Sequence, residues 1–238
     1  MALIKNGSIN DFSVGTIVPQ KRYEDINTFA ALDQVSVNAP DFKLITSNDQ
    51  RGIGLKSIFL KENFDGFLDG VNELYFMAYA YDLSGRPVVQ FPMEGVPPSD
   101  VLIPIRAGKI RQFIGEGISL FPKSLVTGGV ALKIHIFESD ADIRRFGEIL
   151  SSIAARVQES QLNSVLALIS MATGITGVTI DLIKNAALEL TKVIGATLQS
   201  NTDDYVDGFE GYYASDQQWI IGDDMYAGNA TAITLEKY

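Results

Sequence analysis

The first residues whose types and spacing could do chemistry are three carboxylates that lead into a strand-like run. Asp65, Asp69 and Glu73 lie in FDGFLDGVNE, residues 64–73, and the run LYFMAYAY follows directly. Carboxylates beside a strand are hard oxygen ligands on a rigid support, and Ca²⁺ takes about six to eight oxygen ligands. The spacing therefore favours a calcium site at the edge of a sheet.

A second acidic group follows another strand-like run. LKIHIFESDAD, residues 132–142, ends with Glu138, Asp140 and Asp142. Carboxylates that cluster at one sheet edge repel one another when empty, and a divalent cation relieves that repulsion. The predicted calcium ligands are Asp65, Asp69, Glu73, Glu138, Asp140 and Asp142.

The same acids also fit an ordinary structural role. Asp, Asn and Gly concentrate in turns, where they tolerate unusual backbone angles and hydrogen-bond nearby amides. Ser139 or Asp140 can cap a following helix, and Asp142 is favoured near the positive end of that helix. A further cluster, DDYVDGFEG (residues 203–211), lacks the spacing of a helix-loop-helix calcium site, and we interpret it as a solvated loop.

Strand-like segments must position these acids. GLKSIFL (54–60), LYFMAYAY (74–81) and VALKIHIF (130–137) are rich in aliphatic and aromatic residues, and shorter runs lie between them. Strands that recur about every 10 residues predict an antiparallel β-sandwich, for which a jelly roll is one possible topology. Gln218–Ile221 and Thr231–Leu235 extend the strand series near the end of the chain.

A helical segment interrupts the strands. Apolar residues recur at helical spacing from about 140 to 172, GITG (174–177) breaks the pattern, and a second helix follows from about 178 to 199. The chain is therefore predicted to be mainly β, with a long helical hairpin inserted. We divide it into an N-terminal extension (1–50), a sandwich (51–138 and 201–238) and the hairpin (139–200).

Composition excludes several classes of function. The net charge of −10 argues against nonspecific nucleic-acid binding, and the absence of cysteine excludes disulfides and thiolate chemistry. His135 is the only histidine, and alternation with Ile134 and Ile136 predicts that it lies on the less buried face of its strand. Because a catalytic triad or a histidine metal site would need this residue, we predict a protein that is not an enzyme.

The acidic segments resemble the binding loops of the calcium-dependent phospholipid-binding (C-two) domain of synaptotagmin and protein kinase C. In that eight-stranded sandwich an Asp, a glycine-bearing spacer and Asp-Pro-Tyr open a strand. Here Asp65, a spacer with two glycines and Glu73-Leu74-Tyr75 precede LYFMAYAY. The family's third loop follows a strand of the form L-x-I-x-V-aromatic, and LKIHIF is followed by Glu138-Ser139-Asp140.

This resemblance implies calcium as cofactor and an anionic lipid surface or a protein as partner. The chain departs from the family pattern: Leu74 replaces the proline, Glu73 and Glu138 stand where Asp is usual, and no acid stands at Phe146. The first 50 residues and the hairpin have no counterpart in the family.

Two alternatives remain open. Leu162–Ile180 contains no charged residue, so the hairpin could insert into a membrane as in an effector or toxin, or bury itself against the sheet. A structural, oligomeric jelly-roll protein is the second alternative, with copies joined through the hairpin. No cleavable signal peptide is evident, which predicts a cytoplasmic protein or one exported without such a signal.

Overall fold

The structure is a computed structural model that describes residues 44–64, 70–93, 95–139, 148, 151–152, 155–171, 185–186, 189–190, 192–196 and 203–238. Within these ranges the strands are β1 Thr46–Leu60, β2 Asn72–Tyr81, β3 Val89–Phe91, β4 Ile103–Ile105, β5 Lys109–Gln112, β6 Ile118–Thr127, β7 Gly129–Glu138, β8 Asp204–Ala214, β9 Gly222–Ala227 and β10 Thr231–Lys237. The helix α1 is Leu162–Ser170, and Pro98–Asp100 forms one turn of 3-10 helix.

The strands form two antiparallel sheets. The first sheet has the order β5-β1-β10-β9. Strands β5 and β6 pair with the same side of β1: β6 pairs with its first part, Thr46–Leu55, and β5 pairs with its last part, Ser57–Leu60. The second sheet has the order β3-β2-β7-β8, and β4 pairs with the start of β2. The prediction of a mainly antiparallel β protein is confirmed.

The two sheets face each other across a shared apolar core. Strand β1 contributes Ile53, Leu55, Ile58 and Leu60, all fully buried, and the other strands add alternate residues. The larger set from the second sheet comprises Leu74, Phe76, Ala78, Ala80, Leu132, Ile134, Ile136, Val206, Phe209 and Tyr213. This alternation is what a strand with one face on a core requires.

The opposite face of the second sheet is buried as well. Tyr75, Met77 and Tyr79 of β2 lie in a second apolar cluster together with Leu162 and Leu166 of α1. The second sheet is therefore a middle layer, with the first sheet on one side and helical residues on the other. Consequently β2 is apolar on both faces, which explains why LYFMAYAY shows no alternation of polar and apolar residues.

The burial of this face corrects the prediction for His135. Alternation does place His135 away from Ile134 and Ile136, but the histidine is only 3% exposed because the helical layer covers that face. A two-residue period separates the faces of a strand, and it does not tell which face meets solvent when a third layer is present.

The helical segment is shown only in part. Residues 155–159 and 192–196 are helical in addition to α1, and Val157, Leu190, Val193 and Ile194 are buried with α1 in the second cluster. Much of the predicted hairpin lies outside the described residues, so a long hairpin as such is not shown.

One boundary and two segments differ from the sequence predictions. Strand β1 begins at Thr46, inside the segment predicted as an N-terminal extension, and Gln218–Ile221 is not a strand. The acidic cluster in residues 203–211 is not a solvated loop, because it forms the buried strand β8.

Candidate functional site

Four connections of the chain lie at the same end of the two sheets. In the strand registers Leu60 is opposite both Lys109 and Thr231, and Glu138 is opposite both Leu74 and Asp204. The end of β1, the start of β2, the end of β7 and the start of β8 therefore lie together. We name this the acidic end. The connections 61–71, 106–108, 139–203 and 228–230 leave the strands there, although α1, within 139–203, packs on the face of the second sheet.

The strand ends beside the two predicted acidic segments meet at the acidic end. The backbone N–H of Ser139 donates to the carbonyl oxygen of Glu73 at 3.0 Å, which extends the pairing of β2 with β7 by one bond. Each segment continues from this point into its own connection. The sequence predicted this juxtaposition from the two strand-like runs, and the strand register brings their ends together.

The two described acids of the predicted site lie on different faces of the second sheet. Glu138 is opposite Leu74, whose side chain lies in the core between the sheets, and Glu138 is 2% exposed. Glu73 precedes Leu74, so it lies on the other face, and it is exposed. Glu73 and Glu138 therefore lie on opposite faces of the second sheet.

The remaining predicted ligands, Asp65, Asp69, Asp140 and Asp142, lie outside the described residues. In the described part of the chain, no group of three or more His, Asp or Glu side chains is arranged to hold a metal ion. The six-residue calcium site stays a prediction.

Ser139 carries a buried oxygen at this end. Its side chain is 7% exposed, and its hydroxyl has no hydrogen-bond partner among the described residues. Phe137 lies in the second apolar cluster, and Ser139, two residues later, lies on the same face of β7. Glu73 also lies on that face of the second sheet. An orphaned hydroxyl and a carboxylate on one face are oxygen donors of the kind that calcium accepts.

Two acids at the start of β8 also lie at the acidic end, and the sequence prediction did not include them in the site. The Tyr75 hydroxyl donates to Asp203 Oδ2 at 2.8 Å, which holds Asp203 on the helix side of the second sheet. Asp204 is paired with Glu138 across the β7–β8 ladder. The signal that could have found them is the position of residues 203–204 immediately before a strand.

Asp207 ties the acidic end together between the sheets. Its Oδ2 accepts hydrogen bonds from Ala230 N (3.2 Å), Thr231 N (3.0 Å) and Thr231 Oγ1 (2.9 Å). The Gly228 backbone lies so close that a Cβ there would be 2.1 Å from the Asp207 carboxylate. Burial raises the pKa of Asp207, and the hydrogen bonds from Thr231 and Gly208 oppose that rise. Asp207 thus joins the β9–β10 turn to the second sheet.

The ionisable side chains on the face of the second sheet that packs against α1 make structural contacts with one another. We call this the helix-side face. Lys133 Nζ lies 2.6 Å from Glu210 Oε1 with both side chains buried, and His135 Nδ1 lies 3.1 Å from the Tyr205 hydroxyl. Burial, and then the charge of Lys133, lower the pKa of His135 to about 3, so the imidazole is neutral at physiological pH. A Cβ at Gly208 would be 2.3 Å from that hydroxyl, so only glycine fits there.

Comparisons with known proteins give no family assignment. No protein-family model matches the chain, and no curated protein or solved structure matches it. Among the described residues, no helix is long and apolar enough to cross a lipid bilayer.

Proposed function

We propose that the protein is a non-enzymatic calcium-binding module of the C-two-like sandwich type, and that its acidic end docks on an anionic lipid surface. The observation that supports the proposal is the hydrogen bond from Ser139 N to the Glu73 carbonyl, which joins the two strand ends from which the acidic segments continue.

The donors at this end suit a hard cation. Glu73 and the Ser139 hydroxyl share one face, and Asp203 is held on that face by the Tyr75 hydroxyl. Carboxylate and hydroxyl oxygens are ligands that Ca²⁺ accepts, and the connections that carry Asp65, Asp69, Asp140 and Asp142 begin at the same place. When bound, calcium would neutralise these carboxylates and supply positive charge at the edge of the module.

The docking step follows from the charge of the protein. The chain has a net charge of −10, and an acidic end without cation is repelled by anionic headgroups. Bound cations are often the largest local charges at a site, so calcium would reverse the local field and allow contact with the headgroups. A protein partner that uses the same end would instead bind in the absence of lipid.

The membrane-inserting alternative has less support. Its basis is the uncharged stretch Leu162–Ile180, and α1 buries Leu162, Leu166 and Ile169 of that stretch in the second cluster. Side chains that are already buried in protein contribute nothing to insertion unless the helix leaves the sheet. Release of dye from liposomes by the protein would revive this alternative.

A thermal melt in EDTA, in Ca²⁺ and in Mg²⁺ tests the proposal. A ligand at about 100 times its Kd stabilises the folded state by about 2.7 kcal/mol, which raises Tm by roughly 5–10 °C for a chain of this size. We expect this rise with Ca²⁺ and a smaller one with Mg²⁺. Calcium-dependent binding to vesicles that contain phosphatidylserine then tests the docking step.

A matched pair of variants separates a specific site from general screening of charge. Asp65→Asn with Asp140→Asn should abolish the rise with Ca²⁺. Asp100→Asn with Asp223→Asn changes the net charge equally, and Asp223 lies at the other end of the first sheet, so this control should keep the rise. An equal Tm shift in both variants, or no shift in the natural chain, would contradict the calcium site.

A further inference from the structure

The two terminal strands of the first sheet carry opposite charges. Strand β5, with the sequence KIRQ, has all four residues exposed, and it contributes Lys109 and Arg111. Strand β9, with the sequence GDDMYA, contributes Asp223 and Asp224 at the opposite side of the same sheet. In the described part of the chain no strand pairs with the outer side of either one. The first sheet therefore has one basic edge and one acidic edge.

Each edge also exposes a large apolar side chain on the outer face of the sheet. Ile110 is opposite Phe59 in the β1–β5 ladder and is 53% exposed. Met225 is opposite Thr234 in the β9–β10 ladder and is 74% exposed. Both lie on the face away from the core, because Ile58 and Ile233, their neighbours in the ladders, are buried between the sheets. An exposed strand edge with apolar residues is a template for pairing with another chain.

We propose that the acidic edge β9 of one copy pairs with the basic edge β5 of a second copy, so that the first sheet continues from one molecule into the next. The strand directions allow this, because β5, β1, β10 and β9 alternate and a further β5 beside β9 is again antiparallel. The pairing is β-strand addition, in which backbone hydrogen bonds contribute affinity and side chains set the register.

One register satisfies both the apolar and the charged side chains. When Met225 is opposite Ile110 of the second copy, Asp224 is opposite Arg111 and Tyr226 is opposite Lys109. In each pair the two residues lie on the same face of the sheet. Ile110 and Met225 face outward, so their strand neighbours Arg111 and Asp224 both lie on the inner face. Asp224 already lies 2.6 Å from Lys237 Nζ, so Arg111 would join an existing ion pair while Asp223 stays exposed beside it.

Charge selects the unlike pairing over the like pairings. Two β9 edges would bring four carboxylates together, and two β5 edges would bring four basic side chains together, so both like pairings are repelled. A β9–β5 contact joins different surfaces of the two copies, and such contacts form rings or open filaments rather than two-fold dimers. Because β5 is short, the contact is small, and we expect weak association that grows with protein concentration and weakens with salt.

Sedimentation of the full chain over a range of concentrations tests the proposal. At low ionic strength the mean mass should rise above the monomer value of 25.9 kDa and should continue to rise past that of a dimer. Arg111→Glu should weaken this association by about 10-fold or more, because an attractive pair becomes a repulsive one. Lys123→Glu, an equal charge change at an exposed position of β6, should leave it unchanged.

A charge exchange between two variants makes the test specific. Asp224→Lys alone should also fail to associate, and a thermal melt of each variant establishes that it is folded. Mixed in equal amounts, Arg111→Glu and Asp224→Lys restore opposite charges at each β9–β5 contact between the two different variants, so the mixture should associate again. A protein that stays monomeric at all concentrations, or a dimer that Arg111→Glu does not affect, would overturn the proposal.

Discussion

Asp207 offers the sharpest test of how the acidic end is held together. Asp207→Ala removes Oδ2, which accepts hydrogen bonds from Ala230 N, Thr231 N and Thr231 Oγ1, and also Oδ1, which accepts from Gly208 N. Each of the three donors of Ala230 and Thr231 then remains buried without a partner, which costs about 1 kcal/mol or more per group. We therefore expect Asp207→Ala to lower the free energy of unfolding by about 3 kcal/mol, which is a large share of the stability of a typical domain.

Asp207→Asn separates the geometry of these bonds from the charge of the carboxylate. Burial raises the pKa of Asp207 above its usual value, so the folded protein holds the proton more tightly than the unfolded chain does. The stability that this group contributes is then greatest below its unfolded pKa, and it is lost as pH rises through the folded pKa. Because ionisation is not the source of stability, an amide oxygen at the same position should suffice, and the loss at pH 7 should be about 1 kcal/mol.

Urea unfolding at pH 7, followed by far-UV circular dichroism and by the fluorescence of Trp219, the only tryptophan, gives these free energies. Asp204→Ala, at the start of the same strand, is the control and should change stability by less than about 1 kcal/mol. The reasoning is refuted if Asp207→Ala costs no more than this control. It is also refuted if Asp207→Asn is as damaging as Asp207→Ala, since the charge itself would then be the stabilising feature.

Two further predictions concern the helix-side face of the second sheet. Because burial holds the pKa of His135 at about 3, stability should fall as pH drops from about 6.5 to 3, by at most about 1.4 kcal/mol per pH unit from this group. His135→Gln should remove that part of the pH dependence, and the histidine ring resonances of the natural chain should not titrate between pH 5 and 8. Glu210→Ala should cost about 3–5 kcal/mol in denaturant unfolding because it leaves the Lys133 charge buried without its carboxylate, whereas Lys133→Met with Glu210→Leu should recover most of that loss. The exposed pair Lys192–Glu189 is the control, and its removal should cost less than about 1 kcal/mol.

The strands that sequence predicted well are those with uninterrupted aliphatic and aromatic residues. The runs at 54–60, 74–81 and 130–137 lie within β1, β2 and β7, so these three predictions are confirmed. The apolar pattern of these runs is strong because β2 and β7 are almost entirely buried and have few positions at which a polar side chain could be solvated. Local composition was therefore enough to identify them.

Strand β8 could not be predicted in the same way. Its acids and glycines are typical of turns, and each has a reason that only the fold supplies. Asp207 accepts hydrogen bonds from the other sheet, Glu210 pairs with Lys133, and Gly208 leaves room for the Tyr205 hydroxyl. Partners that are distant in sequence turned an apparent loop into a buried strand.

The strand ends beside the candidate site follow from the sequence, and its ligand geometry does not. The Ser139–Glu73 hydrogen bond joins the ends of the two strand-like runs, and a site shared by the acids that follow them stays a prediction. The faces of Glu73 and Glu138 depend on the register of β2 against β7, which no local pattern specifies. Asp203 was missed for a related reason, since its link to Tyr75 spans 128 positions of the chain.

The double burial of β2 has a consequence for how this sequence can change. From Leu74 to Ala80 every residue is buried, because alternate side chains fill one core or the other. In a library of single substitutions, a strand with one solvent-exposed face tolerates polar residues at every second position. Between Leu74 and Ala80, strand β2 should tolerate them at none. Lineages of this chain should therefore keep this part of the middle layer nearly unaltered.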